Sequence, residues 1–404
     1  MAILSNVRVL DLTRVVAGPW ATQILADLGA EVIKIEKPNE GDDTRRIGPF
    51  VRDREGRETD NSAFYLACNR GKRSVTIDIS TERGQSLIRD LAAQSDIFVE
   101  NYKAGSLARY GLDYPAIRAI NPRIIYCSVT GFGGDGPYAS RPAYDFILQG
   151  MSGLMSTCGH PDGAPGAGPM RTAVPITDIT TGLYAAISIL GALIHRSQTG
   201  LGQFIDAAMI DSAVALNGHL AIGYLMTGKV PARIGNANPI ASPSEVHATR
   251  DGHMIVAAGN DGQFKALASA IGLPQLAGDS RFRSNSDRVR NRKDLFPRLA
   301  EKLREETTAF WVDRLSVAGV PCGPINELDA VFADPQVRHR GIQLEAEHGT
   351  GGDVPLLKSP LNLSASPIEY RAPPLLGEGT DEVLGRLLQL SPDEVAQLRA
   401  QAVI

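Results

Sequence analysis

The chain has 404 residues, 43% of them apolar, and a formal net charge of −4. That apolar content is enough for the cores of about two to three globular domains. Acidic and basic residues are mixed along the sequence, which excludes the strongly basic surface expected of a protein that binds nucleic acid or an anionic membrane.

The cysteines and the apolar runs bear on the cellular compartment. The four cysteines are far apart and form no C-x-x-C pair, so neither a disulfide framework nor a metal site is predicted. The N-terminal residues lack the basic-then-apolar pattern of a secretion signal. The longest apolar run, which follows Asp178, falls short of the roughly 20 charge-free residues that cross a bilayer. We expect a cytoplasmic protein with reduced thiols and no membrane partner.

Five strands are predicted in the first 130 residues, at 7–12, 31–36, 73–79, 96–101 and 123–129. Helical patterns lie between most of them, and this alternation predicts an α/β fold with a mainly parallel, Rossmann-like sheet covered on both faces. Such sheets bind ligands at the carboxyl ends of their strands. Polar or basic residues follow several of these ends, namely Lys37, Ser80, Asn101, Tyr102 and Lys103, with Arg109 shortly after.

A nicotinamide-dependent dehydrogenase is the first function to consider for such a sheet. Glu36 ends the second strand, where a ribose-binding acid would lie. However, residues 13–19 after the first strand contain a single glycine, Gly18, and the G-x-G-x-x-G turn that admits a pyrophosphate is missing. The sequence therefore disfavours a dehydrogenase.

A long apolar helix is predicted from about residue 177 to residue 195, after a loop rich in Gly and Pro. Thr177 or Asp178 can cap its first free N–H groups. No charged residue follows Asp178 before Arg196, so we expect the helix to be buried. Its face of small residues, Gly182, Ala185 and Ala186, leaves room for close approach.

Asp178 itself permits two interpretations. It is an ordinary capping residue, or it is a nucleophile that the helix N-terminus keeps ionised at neutral pH while apolar surroundings exclude water. The residues alone leave both open.

A composition shift marks a second, smaller α+β domain at about residues 230–320. It contains a predicted strand at 252–258, a helix at 261–270 and two charged helices within 287–317. The C-terminal segment ends in a helix with a capping box at residues 391–394.

The chain resembles the family III CoA-transferases of the CaiB/BaiF type over nearly its whole length. The resemblance rests on the order and spacing of short segments at residues 9–12 (VLDL), 17–19 (AGP), 29–36 (GAEVIKIE), 41–45 (GDDTR), 72–74 (KRS), 99–101 (VEN), 131–133 (GFG), 178–182 (DITTG) and 321–325 (PCGPI). It implies a large CoA-binding domain made of residues 1–228 and 323–404, a small domain at 229–322, and an interlocked homodimer.

The resemblance also implies residue roles. Asp178 is the catalytic nucleophile, which forms an anhydride and then an aspartyl-CoA thioester. Acyl-CoA and a small carboxylic acid are the substrates, with no permanently bound cofactor and no metal. The implied CoA contacts are Val16, Ala17, Lys37, Ile77, Ser80, Asn101, Tyr102, Lys103, Arg109, Ala143, Tyr144 and Asp145.

The substrates are predicted from departures within the family. Formyl-CoA transferases have glutamine at the position of Val16 and a run of glycines at 235–238, so formyl and oxalyl groups are not expected here. Residues 259–264 and 332–337 look most like succinyl-CoA:glutarate-type enzymes. The implied acceptor contacts are Gly235 and Asn236, and the second carboxylate of a dicarboxylate needs an arginine, for which Arg45, Arg46 and Arg171 are candidates.

Two alternatives remain. A 2-methylacyl-CoA racemase on this scaffold has Gly-His-Asp where this chain has Ala143, Tyr144 and Asp145, so one of its proton-transfer groups would be missing. A non-catalytic CoA-binding protein would be expected to lose Asp178 or its neighbouring glycines, and this chain keeps them.

Overall fold

The computed structural model of this chain describes residues 2–53, 55–350 and 352–404. The strands are β1 (Arg8–Asp11), β2 (Glu31–Glu36), β3 (Phe50–Arg52), β4 (Glu58–Ser62), β5 (Arg73–Thr76), β6 (Ile97–Glu100), β7 (Ile125–Thr130), β8 (Phe204–Ala208), β9 (Ser244–Ala248), β10 (His253–Ala257), β11 (Cys322–Pro324), β12 (Gln343–His348) and β13 (Gly352–Leu357).

The helices are α1 (Ala17–Asp27), α2 (Ala63–Asn69), α3 (Glu82–Ala93), α4 (Tyr114–Ile120), α5 (Asp145–Met151), α6 (Leu154–Thr157), α7 (Ile176–Thr199), α8 (Met209–Ala215), α9 (Gly218–Thr227), α10 (Asp261–Ala270), α11 (Asn285–Arg290), α12 (Arg292–Leu303), α13 (Thr308–Val317), α14 (Leu328–Ala333), α15 (Pro335–His339), α16 (Thr380–Leu388) and α17 (Pro392–Ala400).

Six strands form a parallel sheet in the order β5-β2-β1-β6-β7-β8. In its centre, Val9 of β1 pairs with Val32 on one side and Ile97 on the other. The strands are rich in buried aliphatic residues, as expected for a sheet covered on both faces. The predicted α/β fold with a mainly parallel sheet is confirmed.

The two faces of this sheet carry separate hydrophobic cores. On one face, Leu87 of α3 and Ile117 of α4 pack with Leu384 of α16 and Leu398 of α17. On the other face, Leu25 of α1 packs with helix α7. Segments from both chain ends therefore build the same layer, as the resemblance implied.

The chain divides into two compact units. The first contains Met1–Leu154, Thr172–Leu225 and Arg340–Ile404, and the second contains Met155–Arg171 and Met226–His339. The second unit has its own core and an antiparallel sheet in the order β11-β10-β9, so it is the expected smaller α+β domain.

The bounds of the second unit differ from the prediction of 229–322. Ile255 of β10 pairs with Gly323 of β11, so the chain is still part of this sheet where the return segment was predicted to begin. Residues 155–171 also belong to this unit, in which the N–H of Gly235 donates to the carbonyl of Gly159 at 3.1 Å. Such a long-range contact has no local sequence signal.

Helix α7 is long and apolar enough to cross a membrane by length and composition alone. Buried core helices meet the same criterion, and Ala185 and Ile189 of α7 are fully buried beside the sheet. The prediction that the whole helix is buried is wrong, however. Its opposite side leaves Ile187 and Ile194 more than 60% exposed in the single chain.

Candidate active site

Asp178 is the third residue of α7, but it does not cap this helix. The backbone N–H and the hydroxyl of Thr177 donate to the Asp145 carboxylate at 2.8 and 2.6 Å. Across the described residues, no hydrogen bond or ion pair engages the Asp178 side chain. The capping interpretation is therefore wrong, and the Asp178 carboxylate is left available.

Asp145 is held firmly in its capping position. The Gln149 side-chain amide donates to the other Asp145 oxygen at 2.6 Å, and Gln149 in turn accepts the N–H of Thr172 at 3.0 Å. Both Asp145 oxygens are thus engaged within the protein. The Asp145 carboxylate therefore has a structural role, because it organises the start of α7.

The pKa of Asp178 is raised from 3.8 to about 7, first by burial and second by the negative charge of Asp145. At neutral pH the group is therefore close to half-ionised, whereas the sequence led us to expect the ionised form. A carboxylate that lacks hydrogen-bond donors is also poorly stabilised, which makes its ionised form more nucleophilic. A strongly perturbed acid in a cavity is typical of an active-site group.

Asp178 lines a cavity of about 380 Å³ at the carboxyl edge of the parallel sheet. Residues after β1, β6 and β7 form much of its wall, together with the loop that precedes α5. The predicted CoA-binding residues that line it with Asp178 are Val16, Ala17, Asn101, Tyr102, Lys103, Ala143 and Tyr144.

A second cavity, of about 270 Å³, shares three lining residues with the first: Arg14, Asp43 and Tyr102. The remaining predicted CoA contacts, Lys37, Ile77, Ser80 and Arg109, line this second cavity. Two cations and a hydroxyl are thus separated from Asp178 by the shared residues. The two cavities are therefore neighbours, one lined by Lys37 and Arg109 and the other by the Asp178 carboxylate.

The turn between β1 and α1 forms part of both cavities and is strained. Val15 has φ of 71°, which is rare for a β-branched residue. Its N–H donates to Asp42 at 3.2 Å, and Asp42 is paired with the buried amine of Lys34 at 2.8 Å. The Asn101 side chain bonds the backbone of Arg14 in both directions. Strained backbone held by buried charges is common at functional sites.

Arg45, a predicted substrate-binding residue, has a structural role in this chain. Its side chain is buried and forms a two-pronged ion pair with Glu36 at 2.7 and 2.8 Å. The guanidinium also lies 3.6 Å from the centre of the Tyr65 ring. The Glu36 ion pair and the Tyr65 ring therefore hold the Arg45 guanidinium within the protein.

The other predicted acceptor contacts are dispersed. Arg46 is exposed and lines a different cavity, beside Asn39 and Asn61, rather than the one at Asp178. Arg171, Gly235 and Asn236 belong to the second unit.

The small-residue face of α7 is not open to a ligand, contrary to expectation. A Cβ atom at Gly182 would lie 2.7 Å from the Ala17 carbonyl oxygen and 3.0 Å from the Cβ of Trp20. Gly182 therefore permits the close approach of α1, which sets the wall of the cavity at Val16 and Ala17.

Two arginines of the Asp178 cavity were missed in the sequence. Arg14 follows the end of β1, a position at which ligand-binding residues are expected, so its position was a usable signal. Arg141 lies in an irregular loop, where periodicity gives no information. No group of three or more His, Cys, Asp or Glu residues that could hold a metal is present in the described part of the chain.

Comparison with known proteins identifies the family. The profile of CoA-transferase family III matches residues 4–380. The chain belongs to this family. This CoA-transferase is 44% identical to the succinate–glutarate CoA-transferase of Agrobacterium fabrum over 386 residues, which cover 95% of each chain.

Two further relatives agree with that assignment. The human succinyl-CoA:glutarate CoA-transferase is 42% identical over 99% of this chain and 90% of its own length. Among solved structures, a CaiB/BaiF family protein from Brucella suis superposes with a TM-score of 0.85 at 45% identity, covering 95% of this chain and 98% of the other. The predicted family and enzyme class are confirmed.

Proposed function

We propose that this CoA-transferase moves CoA from succinyl-CoA to a dicarboxylic acid through covalent intermediates on Asp178. The observation that carries the proposal is the Asp178 carboxylate, which faces a cavity without a hydrogen-bond partner among the described residues. The two relatives named as succinate or succinyl-CoA:glutarate CoA-transferases support the substrate class.

CoA would occupy both the Asp178 cavity and the neighbouring second cavity. Its phosphates would bind near Lys37 and Arg109, and its pantetheine arm would pass Tyr102 towards Asp178. This orientation follows from charge, since cationic side chains bind phosphate and the carboxylate must meet the thioester.

The first half of the reaction begins when an Asp178 oxygen attacks the thioester carbonyl. The carbon–sulfur bond breaks, CoA leaves as a thiolate, and a succinyl–aspartyl anhydride forms. The thiolate then attacks the Asp178 carbonyl carbon, succinate leaves, and an aspartyl-CoA thioester remains.

The second half reverses these steps with the acceptor. The acceptor carboxylate attacks the aspartyl thioester and releases the thiolate, which then attacks the acceptor carbonyl of the new anhydride. The new acyl-CoA leaves and the Asp178 carboxylate is restored. No net proton or water is consumed, and water would destroy every intermediate, so burial of Asp178 protects the pathway.

The contacts to the acceptor are proposed from the family resemblance. Gly235 and Asn236 stay candidates from the family resemblance, while the buried pairing of Arg45 argues against that residue. The four cysteines are free thiols, Cys68 and Cys127 being buried, which supports a reducing cytoplasmic location.

We also propose an interlocked homodimer, the assembly that the family resemblance implies. Support comes from apolar side chains that the single chain leaves exposed on three helices, namely Phe146, Ile147 and Met151 of α5, Leu183, Tyr184, Ile187 and Ile194 of α7, and Ile222, Tyr224 and Leu225 of α9. Exposed apolar surface of this extent marks an interaction site. Light scattering should give twice the chain mass, and an interlocked pair should not dissociate on dilution. A concentration-independent monomer would contradict this proposal.

Trapping with hydroxylamine tests the chemistry. Incubation with succinyl-CoA and hydroxylamine should convert Asp178 to a hydroxamate, located by mass spectrometry of its peptide. Asp178→Asn should lose at least about 10³-fold in turnover while CoA binding, measured by calorimetry, is retained. Asp211→Asn is a matched control, because Asp211 is also the third residue of a helix but is exposed. Normal turnover in Asp178→Asn, or an unlabelled Asp178 in an active enzyme, would overturn the mechanism; a racemase would leave Asp178 unlabelled.

A further inference from the structure

Three cationic side chains line the Asp178 cavity: Arg14, Lys103 and Arg141. Arg14 also lines the second cavity and pairs with Asp43 at 3.1 Å. Lys103 also lines a third cavity that contains Glu100. Arg141 lines the Asp178 cavity but neither of these two other cavities.

The Arg141 guanidinium is held in place but not neutralised. Its central carbon lies 3.9 Å from the centre of the Tyr138 ring, and Tyr138 in turn packs edge-on against Phe132 at 5.5 Å. Within the described ranges, no acidic side chain lies within ion-pair distance of Arg141. Stacking on a ring fixes the plane of the guanidinium and leaves its edge available for a ligand.

We infer that Arg141 binds the distal carboxylate of the succinyl group and of the dicarboxylic acceptor. This inference rests on the proposed function, which places both acyl groups at Asp178 in turn. The planar guanidinium edge matches a carboxylate, with which it forms two parallel hydrogen bonds. The donor and acceptor chains differ by only one methylene, so one guanidinium edge serves both.

A role in binding the CoA phosphates is the main competing one. The second cavity already supplies Arg109 for that purpose, together with Lys37, which is paired with Glu40, and Arg141 does not line it. Arg14 and Tyr102 lie at the junction of the two cavities, where the pantetheine arm would pass. This leaves Arg141 for the acyl end of the substrate.

Substrates that lack the distal carboxylate distinguish a role of Arg141 in carboxylate binding from a role in binding the CoA phosphates. Transfer is measured for two substrate pairs. The dicarboxylate pair is succinyl-CoA with glutarate. The monocarboxylate pair is butyryl-CoA with pentanoate, whose chains have the same numbers of carbon atoms but end in methyl groups. Arg141→Gln should lower kcat/KM for the dicarboxylate pair about 10- to 100-fold, the loss expected for a hydrogen bond between charged groups. Values for the monocarboxylate pair should stay within about threefold of the wild type, because they never used the arginine.

Arg118→Gln provides the matched control. Arg118 also lies over a tyrosine ring, that of Tyr114, but lines none of these cavities, so both substrate pairs should behave as in the wild type. An equal loss with both pairs in Arg141→Gln would assign Arg141 to CoA, and no loss with either would remove it from the site. If wild-type enzyme transferred CoA with neither pair, the proposed function and this inference would both be overturned.

Discussion

Asp145 accepts the backbone N–H of Thr177 at 2.8 Å, and so takes the capping position at the start of α7. Two consequences follow for Asp178, one residue further on. Its carboxylate is released from hydrogen bonding with the helix, and it feels the negative charge of Asp145, which helps raise its pKa to about 7. A single interaction thereby both frees the candidate nucleophile and tunes it.

The pH dependence of the reaction with the acyl-CoA donor should reveal the raised pKa of Asp178. The ionised form of Asp178 attacks, so kcat/KM for the donor should fall roughly tenfold per pH unit below about 7. Asp145→Asn keeps an oxygen that can accept the Thr177 N–H but removes the charge. The acidic limb of its profile should therefore move to lower pH. An unmoved limb would show that Asp145 does not set the pKa of Asp178.

Stability should depend on the same group. The pKa of Asp178 is about 7 in the folded protein against 3.8 for an unperturbed carboxyl, so the folded state binds the proton more tightly. Its contribution to stability is present below pH 3.8 and is lost as the pH rises towards 7. Asp178→Asn should thus gain about 1–4 kcal/mol over the wild type between pH 5 and pH 8. Denaturant unfolding of both proteins at pH 5 and at pH 8 measures this gain. If the two proteins differed in unfolding free energy by the same amount at both pH values, the raised pKa of Asp178 would be contradicted.

The contact between α1 and α7 should be sensitive to a single methyl group. Gly182→Ala places a Cβ 2.7 Å from the Ala17 carbonyl oxygen, so the helices must separate, at a cost of about 1–3 kcal/mol. Gly191→Ala on the same helix is the control, since a Cβ added there would meet no atom of another element within 4 Å. That variant should be more stable by about 0.5–1 kcal/mol, from helix propensity alone. Equal effects in urea unfolding would mean that the close approach is unimportant.

Arg45 should prove structural. Arg45→Met leaves Glu36 buried without its partner, and we expect a loss of about 3–5 kcal/mol in the free energy of unfolding. The exposed neighbour Arg46 should tolerate the same change within about 0.5 kcal/mol. An Arg45→Met enzyme with normal stability but a selectively raised KM for the acceptor would restore the substrate-binding role.

Local sequence pattern predicted much of the parallel sheet. Strand β2 runs from Glu31 to Glu36 as expected, because its β-branched residues Val32, Ile33 and Ile35 favour a strand. The hairpin of β3 and β4 was missed, since β4 reads Glu-Thr-Asp-Asn-Ser and has neither alternation nor apolar residues. Its conformation depends on tertiary context, which overrides propensity in strands.

At the candidate site, too, local sequence could not predict what depends on tertiary contacts. Asp178 and the strand-end residues were found from their positions in the sequence and from family resemblance. Most of them line the Asp178 cavity or the second cavity. The role of Asp145 was missed because it depends on a hydrogen bond to a residue 32 positions away. The burial of Arg45 depends likewise on Tyr65 and Glu36, which only the folded chain brings together.

The core on one face of the parallel sheet contains Leu384 and Leu398 together with residues of β1 and β2. On the ribosome, strands β1, β2, β5 and β6 are made at least about 280 residues before Leu384, a delay of roughly 14–57 s or more at ordinary rates of synthesis. During that interval α3 and α4 can already pack on this face, but the apolar residues that α16 and α17 will cover stay exposed. Nascent chains of this enzyme are therefore expected to need chaperone protection late into translation, and to acquire CoA affinity only when the last helices dock.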